Sequence, residues 1–125
     1  MTGRVVHFEI PFDDGERARA FYADAFGWNL MHMPEMDYTM VATGPTSEQG
    51  PPSEPGFING GMLQRGATVG GPVITVDCDD IDAALKKIET LGGTTAVAKE
   101  KVGDMGFSAY FKDPEGNLMG LWQNA

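Results

Sequence analysis

The sequence predicts an α+β domain made of two consecutive β-α-β-β-β units. Two observations carry this. A 66-residue internal repeat places an alternating strand, an Asp-Asp pair, a helix and a glycine stop in the same order twice. Each helix is then followed by a run of short strands with turn residues between them. Residues 1–125 read as a single domain, with the units at roughly 4–64 and 71–123.

In the first unit, residues 5–10 alternate: Val6, Phe8 and Ile10 share one face, and Val5, His7 and Glu9 the other. The apolar face is expected to cover the helix, which leaves the partly polar face for a ligand. The first helix carries Ala18, Phe21, Tyr22, Ala25 and Phe26 as one apolar stripe. Asp13 is its expected N-cap, with Glu16 three residues on as a capping box, and Gly27 suits the left-handed position past its end. Strands are expected at 28–33, 38–43 and 57–64. Between them, residues 44–57 are rich in Pro, Gly and Ser and read as a mobile loop rather than a lid.

The second unit repeats the scheme. In residues 73–78, Ile74, Val76 and Cys78 share the helix side, opposite Val73, Thr75 and Asp77. Ile81, Leu85, Ile88 and Leu91 make the helix stripe, Asp79 is the expected cap, and Gly92-Gly93 close the end. Strands follow at 95–102, 106–112 and 118–123. The last two are joined by Asp113-Pro114-Glu115-Gly116-Asn117, a tight hairpin with a glycine bulge.

Composition excludes several classes of function. With 18 acidic against 9 basic residues, a net charge of −9 repels phosphate backbones, so no nucleic acid is expected. No apolar run approaches the ~20 residues that span a bilayer, so no membrane partner is expected. The single cysteine, Cys78, cannot form an internal disulfide, and no secretory leader is seen; the expected compartment is the cytoplasm. Cys78 itself reads as a small core residue, and His32 as a surface or rim position.

The strand HFEIP, the helix from Asp13 to the Phe26-Gly27-Trp28 end, the Asn59-Gly60-Gly61 strand, the duplicated half and the closing FKDPEGNLMGLWQ together resemble the vicinal oxygen chelate superfamily. That group includes glyoxalase I, extradiol dioxygenases and bleomycin-resistance proteins, and the resemblance is nearest to single-domain glyoxalase-like members. It implies two modules forming a cup-shaped mixed sheet with the helices outside, and a homodimer. It also implies a divalent metal held by one residue on the first and one on the last strand of each module. Carried over residue by residue, those positions are His7, a residue within 58–62, Val73 and Gly120. One imidazole beside valine and glycine is a poor donor set, so no metal and no cofactor is expected.

His7 has three readings: a hydrogen bond across the sheet, contact with a ligand, or a metal ligand. Glu9 is the candidate catalytic group, a carboxylate two residues from an imidazole that could act as general base with His7 as its partner. By strand parity, Tyr38, Thr75, Asp77, Tyr110 and Trp122 join His7 as candidate ligand contacts, with Phe107, Ala109 and Phe111 on the helix side. The eight methionines fill core space or make an adaptable apolar wall. The expected function is binding of a small organic molecule in the cup, with lyase- or isomerase-type chemistry. The alternative is non-catalytic sequestration of a drug or metabolite.

Overall fold

The computed structural model describes residues 3–48 and 50–125. The chain forms two compact units: His7–Pro72, and Val73–Ala125 together with residues 3–6. It is an α+β fold, and each unit has the same internal plan.

The first unit contains β1 (Val5–Phe12) from His7 onward, α1 (Gly15–Phe26), β2 (Asn29–Met33), β3 (Tyr38–Ala42) and β4 (Asn59–Gln64). Its strands run β2-β3-β4-β1. β1 pairs with β4 in parallel, and the other two contacts are antiparallel. The second unit contains β5 (Val73–Asp77), α2 (Ile81–Thr90), β6 (Thr94–Val102), β7 (Gly106–Lys112) and β8 (Leu118–Asn124). Its order β5-β8-β7-β6 has one parallel contact, β5 with β8, and antiparallel contacts elsewhere. The repeat in sequence is therefore a repeat in topology.

Both helices begin one residue later than the sequence suggested. Asp14, not Asp13, accepts from the Arg17 amide, and Asp80, not Asp79, accepts from the Ala83 amide. In an Asp-Asp pair either residue can cap, and the one with extended backbone immediately before the first helical residue does so. Asp13 instead pairs with Arg65, Nε to Oδ1 at 3.0 Å. Gly27 closes α1 with φ +71, as its sequence position predicted.

The second unit holds a buried apolar cluster rooted on α2. Ile81, Leu85, Ala109 and Leu121 are buried together, with Val76, Cys78, Ile88, Phe107 and Phe111 against them. Cys78, Phe107, Ala109 and Phe111 thus lie on the α2 side, as expected, and burial pushes the Cys78 thiol pKa up. Two members of the expected apolar surfaces do not join this core. Leu91 falls beyond the last turn of α2 and is 68% exposed, and Ile74 is 48% exposed at the start of β5.

The stripe on α1 is corrected more strongly. No α1 residue is buried, and Phe21 and Phe26 are 59% and 64% exposed. Only Ala18 and Tyr22 of the stripe are half-buried. Tyr22 stacks on Trp28 at 5.1 Å between centroids, and Trp28 meets Phe8 of β1 at 5.9 Å. This aromatic column, with Arg19 Nη1 donating to the buried Thr39 hydroxyl, ties α1 to its sheet. His32 is exposed, with Nδ1 3.4 Å from the same hydroxyl.

The loop at 44–57 folds back on itself rather than standing open. Ser47 bonds Pro51 and Ser53 bonds Pro45, while Asn59 donates through Nδ2 to Thr46 Oγ1 and accepts at Oδ1 from the Thr43 amide. The tight 113–117 hairpin is as predicted. Asp113 Oδ1 accepts from the Glu115 and Asn117 amides, and Gly116 has φ +84.

Candidate functional site

The polar group that stands out lies within the first unit. It is built by β1, β3 and β4. Strand alternation puts His7 and Glu9 on the same face of β1, opposite Asn59 and Gly61 of β4. Met40 faces Gly61 from the other side, Met31 pairs with Met40, and Met33 pairs with Tyr38. One surface of the sheet therefore carries, from edge inward, a thioether strip, a phenol, a glycine and then a carboxylate and an imidazole.

Tyr38 connects this surface. Its hydroxyl donates to Glu9 Oε2 at 2.8 Å and lies 2.8 Å from His7 Nε2. The two rings are nearly parallel, 16° apart, with centroids 6.4 Å apart. To reach from β3 to β1 the side chain must pass over β4, and β4 is glycine where it passes. A methyl group at Gly61 would fall inside the Tyr38 phenol ring. At Gly60 a methyl would strike the Phe8 ring and carbonyl on the opposite face. The adjacent glycines let one aromatic ring lie over each face of the same strand.

Glu9 is 7% exposed, so its carboxylate is buried against the sheet and satisfied partly by the phenol. His7 is half-buried. Burial lowers its pKa, opposed in part by attraction to Glu9, and the net shift is downward. The imidazole is thus held neutral near pH 7. Of the sequence-predicted residues, His7, Glu9 and Tyr38 come together.

The other four belong to a face of the second unit. Thr75 is 6% exposed and pairs with Gly120, which in turn faces Tyr110. Asp77 pairs with Trp122, and Asp77 Oδ1 accepts from the Arg4 amide at 2.8 Å. The Asp77 backbone also bonds Gly3 and Arg4, so this side chain anchors the chain's opening segment. Trp122 Nε1 donates to Asn124 Oδ1 at 2.8 Å.

The metal positions implied by the sequence resemblance do not fit an ion. On the first unit His7 turns Nε2 to a phenol, and the glycine beside Glu9 is covered by that phenol's ring. On the second, Val73 has no donor atom and Gly120 is packed against the Thr75 hydroxyl. Among the described residues no three His, Cys, Asp or Glu side chains are grouped to hold a metal. Sequence reading missed the role of Gly61 and the Tyr38–Glu9 bond; the Asn-Gly-Gly run inside a strand was the available signal.

Comparison with known proteins places this geometry. Residues 4–44, which span His7, Glu9, α1 and Tyr38, match the family of bleomycin resistance protein-like N-terminal domains. A Mycobacterium bovis protein that carries a glyoxylase name, CFP32, is 30% identical over 124 residues, covering 92% of this chain and 43% of its own length. The chain therefore spans under half the length of that relative. A Vibrio parahaemolyticus protein that carries a lactoylglutathione lyase name is 29% identical, covering 98% of this chain and 92% of its own. Among solved structures, a methylmalonyl-CoA epimerase in complex with methylmalonyl-CoA and ammonium superposes with a TM-score of 0.70 at 21% identity, covering 100% of this chain and 96% of that one. These matches and the shared fold support membership of the vicinal oxygen chelate superfamily. Within that superfamily the fold hosts different reactions, so the chemistry has to be argued from the His7–Tyr38–Glu9 group itself.

Proposed function

We propose that this vicinal oxygen chelate protein binds a small organic molecule on the face of the first unit that carries His7, Tyr38 and Glu9, and that it acts there by acid–base chemistry without a divalent metal. The observation that carries this reading is the hydrogen-bonded chain from Glu9 through Tyr38 to His7, both links 2.8 Å long. A chain of this kind can hold a proton-transfer group in one orientation. It also engages Nε2 of His7 and covers Gly61, leaving a poor donor set for a metal ion. The reaction class is isomerase- or lyase-type proton transfer next to a carbonyl, in keeping with the glyoxylase and epimerase names of its relatives.

Met31, Met33 and Met40 support a second reading, in which the same face sequesters its ligand unchanged. Flexible thioethers adapt to many shapes. Thr75, Asp77, Tyr110 and Trp122 are proposed as further ligand contacts. Association into a homodimer belongs to the same proposal and is supported by the exposure of Phe21 and Phe26 on α1. The proposed compartment is the cytoplasm; no helix among the described residues is long and apolar enough to cross a membrane.

The test is a thermal-shift screen of the purified chain against divalent cations, lactoylglutathione and methylmalonyl-CoA, with metal analysis alongside. Stabilisation by an organic ligand that is lost in Tyr38→Phe supports the reading, since selective binding to the native state raises its apparent stability. Stoichiometric metal with a matching stabilisation overturns the metal-free part. Turnover of a bound ligand separates the enzyme from the sequestering protein.

A further inference from the structure

The positions of the protons in this site follow from donor and acceptor chemistry. A carboxylate offers only acceptor atoms, so the single phenol proton of Tyr38 points to Glu9. The phenol oxygen is then an acceptor toward His7, and the proton in that 2.8 Å contact sits on Nε2. A neutral imidazole has one N–H, so Nδ1 is left with a lone pair. Nδ1 has no hydrogen-bond partner among the described residues. No buried side-chain nitrogen or oxygen of the described residues lacks a partner, so Nδ1 is not sealed inside the sheet. The ring is half-buried, with one nitrogen tied down and the other open.

We infer that Nδ1 of His7 is the base of this site, and that Tyr38 and Glu9 are positioning residues that fix its tautomer, so that the site takes a carbon acid activated by an adjacent carbonyl. This rests on the acid–base reading above and reverses the roles that the sequence suggested, in which Glu9 was the acting group. Buried and engaged by the phenol, Glu9 does not present its carboxylate as His7 presents Nδ1.

The step balances without a co-reactant. Nδ1 takes the proton from the carbon beside the carbonyl, and the C–H electron pair moves into the enolate. The imidazole becomes imidazolium, still donating from Nε2 to the phenol oxygen, and the Glu9 charge stabilises it through Tyr38. Return of the Nδ1 proton to the same carbon regenerates the starting ring, with inversion at that carbon where the enolate has turned its other face to the imidazole. An anionic base at this position would instead favour cationic ligands. A neutral imidazole accepts neutral and anionic carbon acids alike. Met31, Met33 and Met40 supply the apolar wall for the rest of such a molecule.

Two measurements on the full chain test this. The first is the two-bond 1H–15N spectrum of the His7 ring near pH 7 with no ligand present. A proton on Nε2 and a bare Nδ1 are expected, with a mixture of tautomers in Tyr38→Phe and in Glu9→Gln. A proton on Nδ1 in the unmutated protein, or ring signals unmoved by both substitutions, overturns the assignment. The second uses 5-nitrobenzisoxazole, whose ring opens when a base removes its C–H proton, forming the nitrile as the N–O bond breaks to give a phenolate. His7→Gln is expected to lower any protein-catalysed rate on the order of 10²-fold, with a smaller loss in Tyr38→Phe. A rate unchanged in His7→Gln, or no rate above buffer in the unmutated chain, overturns the base. Because the first measurement needs no ligand, it separates a wrong tautomer from a wrong choice of ligand class.

Discussion

The two halves share a plan and divide the work. Each has a parallel contact between its opening and closing strands, a helix capped by the second aspartate of a pair, and a glycine on the closing strand: Gly61 opposite Glu9, and Gly120 opposite Thr75. In the second half that glycine is covered by a threonine hydroxyl and the helix is rooted in a core with Ile81 at 0% exposure. In the first half the glycine is covered by a phenol that bonds a carboxylate and an imidazole, and the helix has no buried residue. The same topology thus supports either packing or a polar site. Position for position, the second half places Val73 and Thr75 where the first has His7 and Glu9.

The largest effect that this contrast predicts is on stability. Ile81→Ala removes a fully buried side chain from the second unit and should cost ~2–5 kcal/mol. Phe26→Ala removes a larger side chain from α1, yet at 64% exposure it should change the stability of the isolated chain by no more than about 0.5 kcal/mol. Chemical denaturation of both variants at low protein concentration checks the pair. A large loss in Phe26→Ala that grows with concentration would show that this surface is covered in a homodimer, and would break the contrast.

A smaller effect separates the two glycines. Gly61→Ala puts a methyl where the Tyr38 ring lies, so the ring must leave; overpacking of this kind costs ~1–3 kcal/mol. The site should fail with it: ligand stabilisation and the Nε2–H form of His7 are both expected to be lost. At Gly120 the nearest obstacle is the Thr75 Oγ1, 2.6 Å from the added carbon. Gly120→Ala should therefore disturb packing in the second unit and leave the His7 ring signals in place. Equal loss of those signals in both variants would show that the halves are not separable in this way.

How much of this was legible depends on the kind of question. The repeat, the strand faces of His7, Glu9 and Tyr38, and the α2 core came from periodicity, which is local and survives any arrangement of the units. The caps slipped by one because Asp13-Asp14 and Asp79-Asp80 each offer two equivalent carboxylates, and backbone conformation chooses between them. The α1 stripe misled because period 3.6 shows which side of a helix is apolar, not whether anything covers it. The bond between Tyr38 and Glu9 was out of reach for another reason. Parity puts both on one face, but the ring's path across β4 depends on Gly61 having no side chain.

The smallest predicted effect is a pH dependence that starts in the first half. The His7 pKa is held below its ordinary 6.5 by burial, and the Asp113 pKa is held below its ordinary 3.8 by the Asn117 side chain and amide. Both shifts are downward, so both contributions have the same sign: each is present above the unfolded-state value and is lost as pH falls through the folded one. The windows differ. Acidification from pH 7 to about pH 5 reaches only the His7 window, and the Asp113 window opens well below it. Melting curves should therefore fall modestly with pH over the mildly acidic range, and His7→Asn should flatten that fall while Asp113→Asn leaves it unchanged. Amide exchange would localise the loss to β1 and β3, around the half-buried imidazole whose charged form burial penalises. A decline first seen at the 113–117 hairpin would mean that burial does not hold the His7 imidazole below its ordinary pKa.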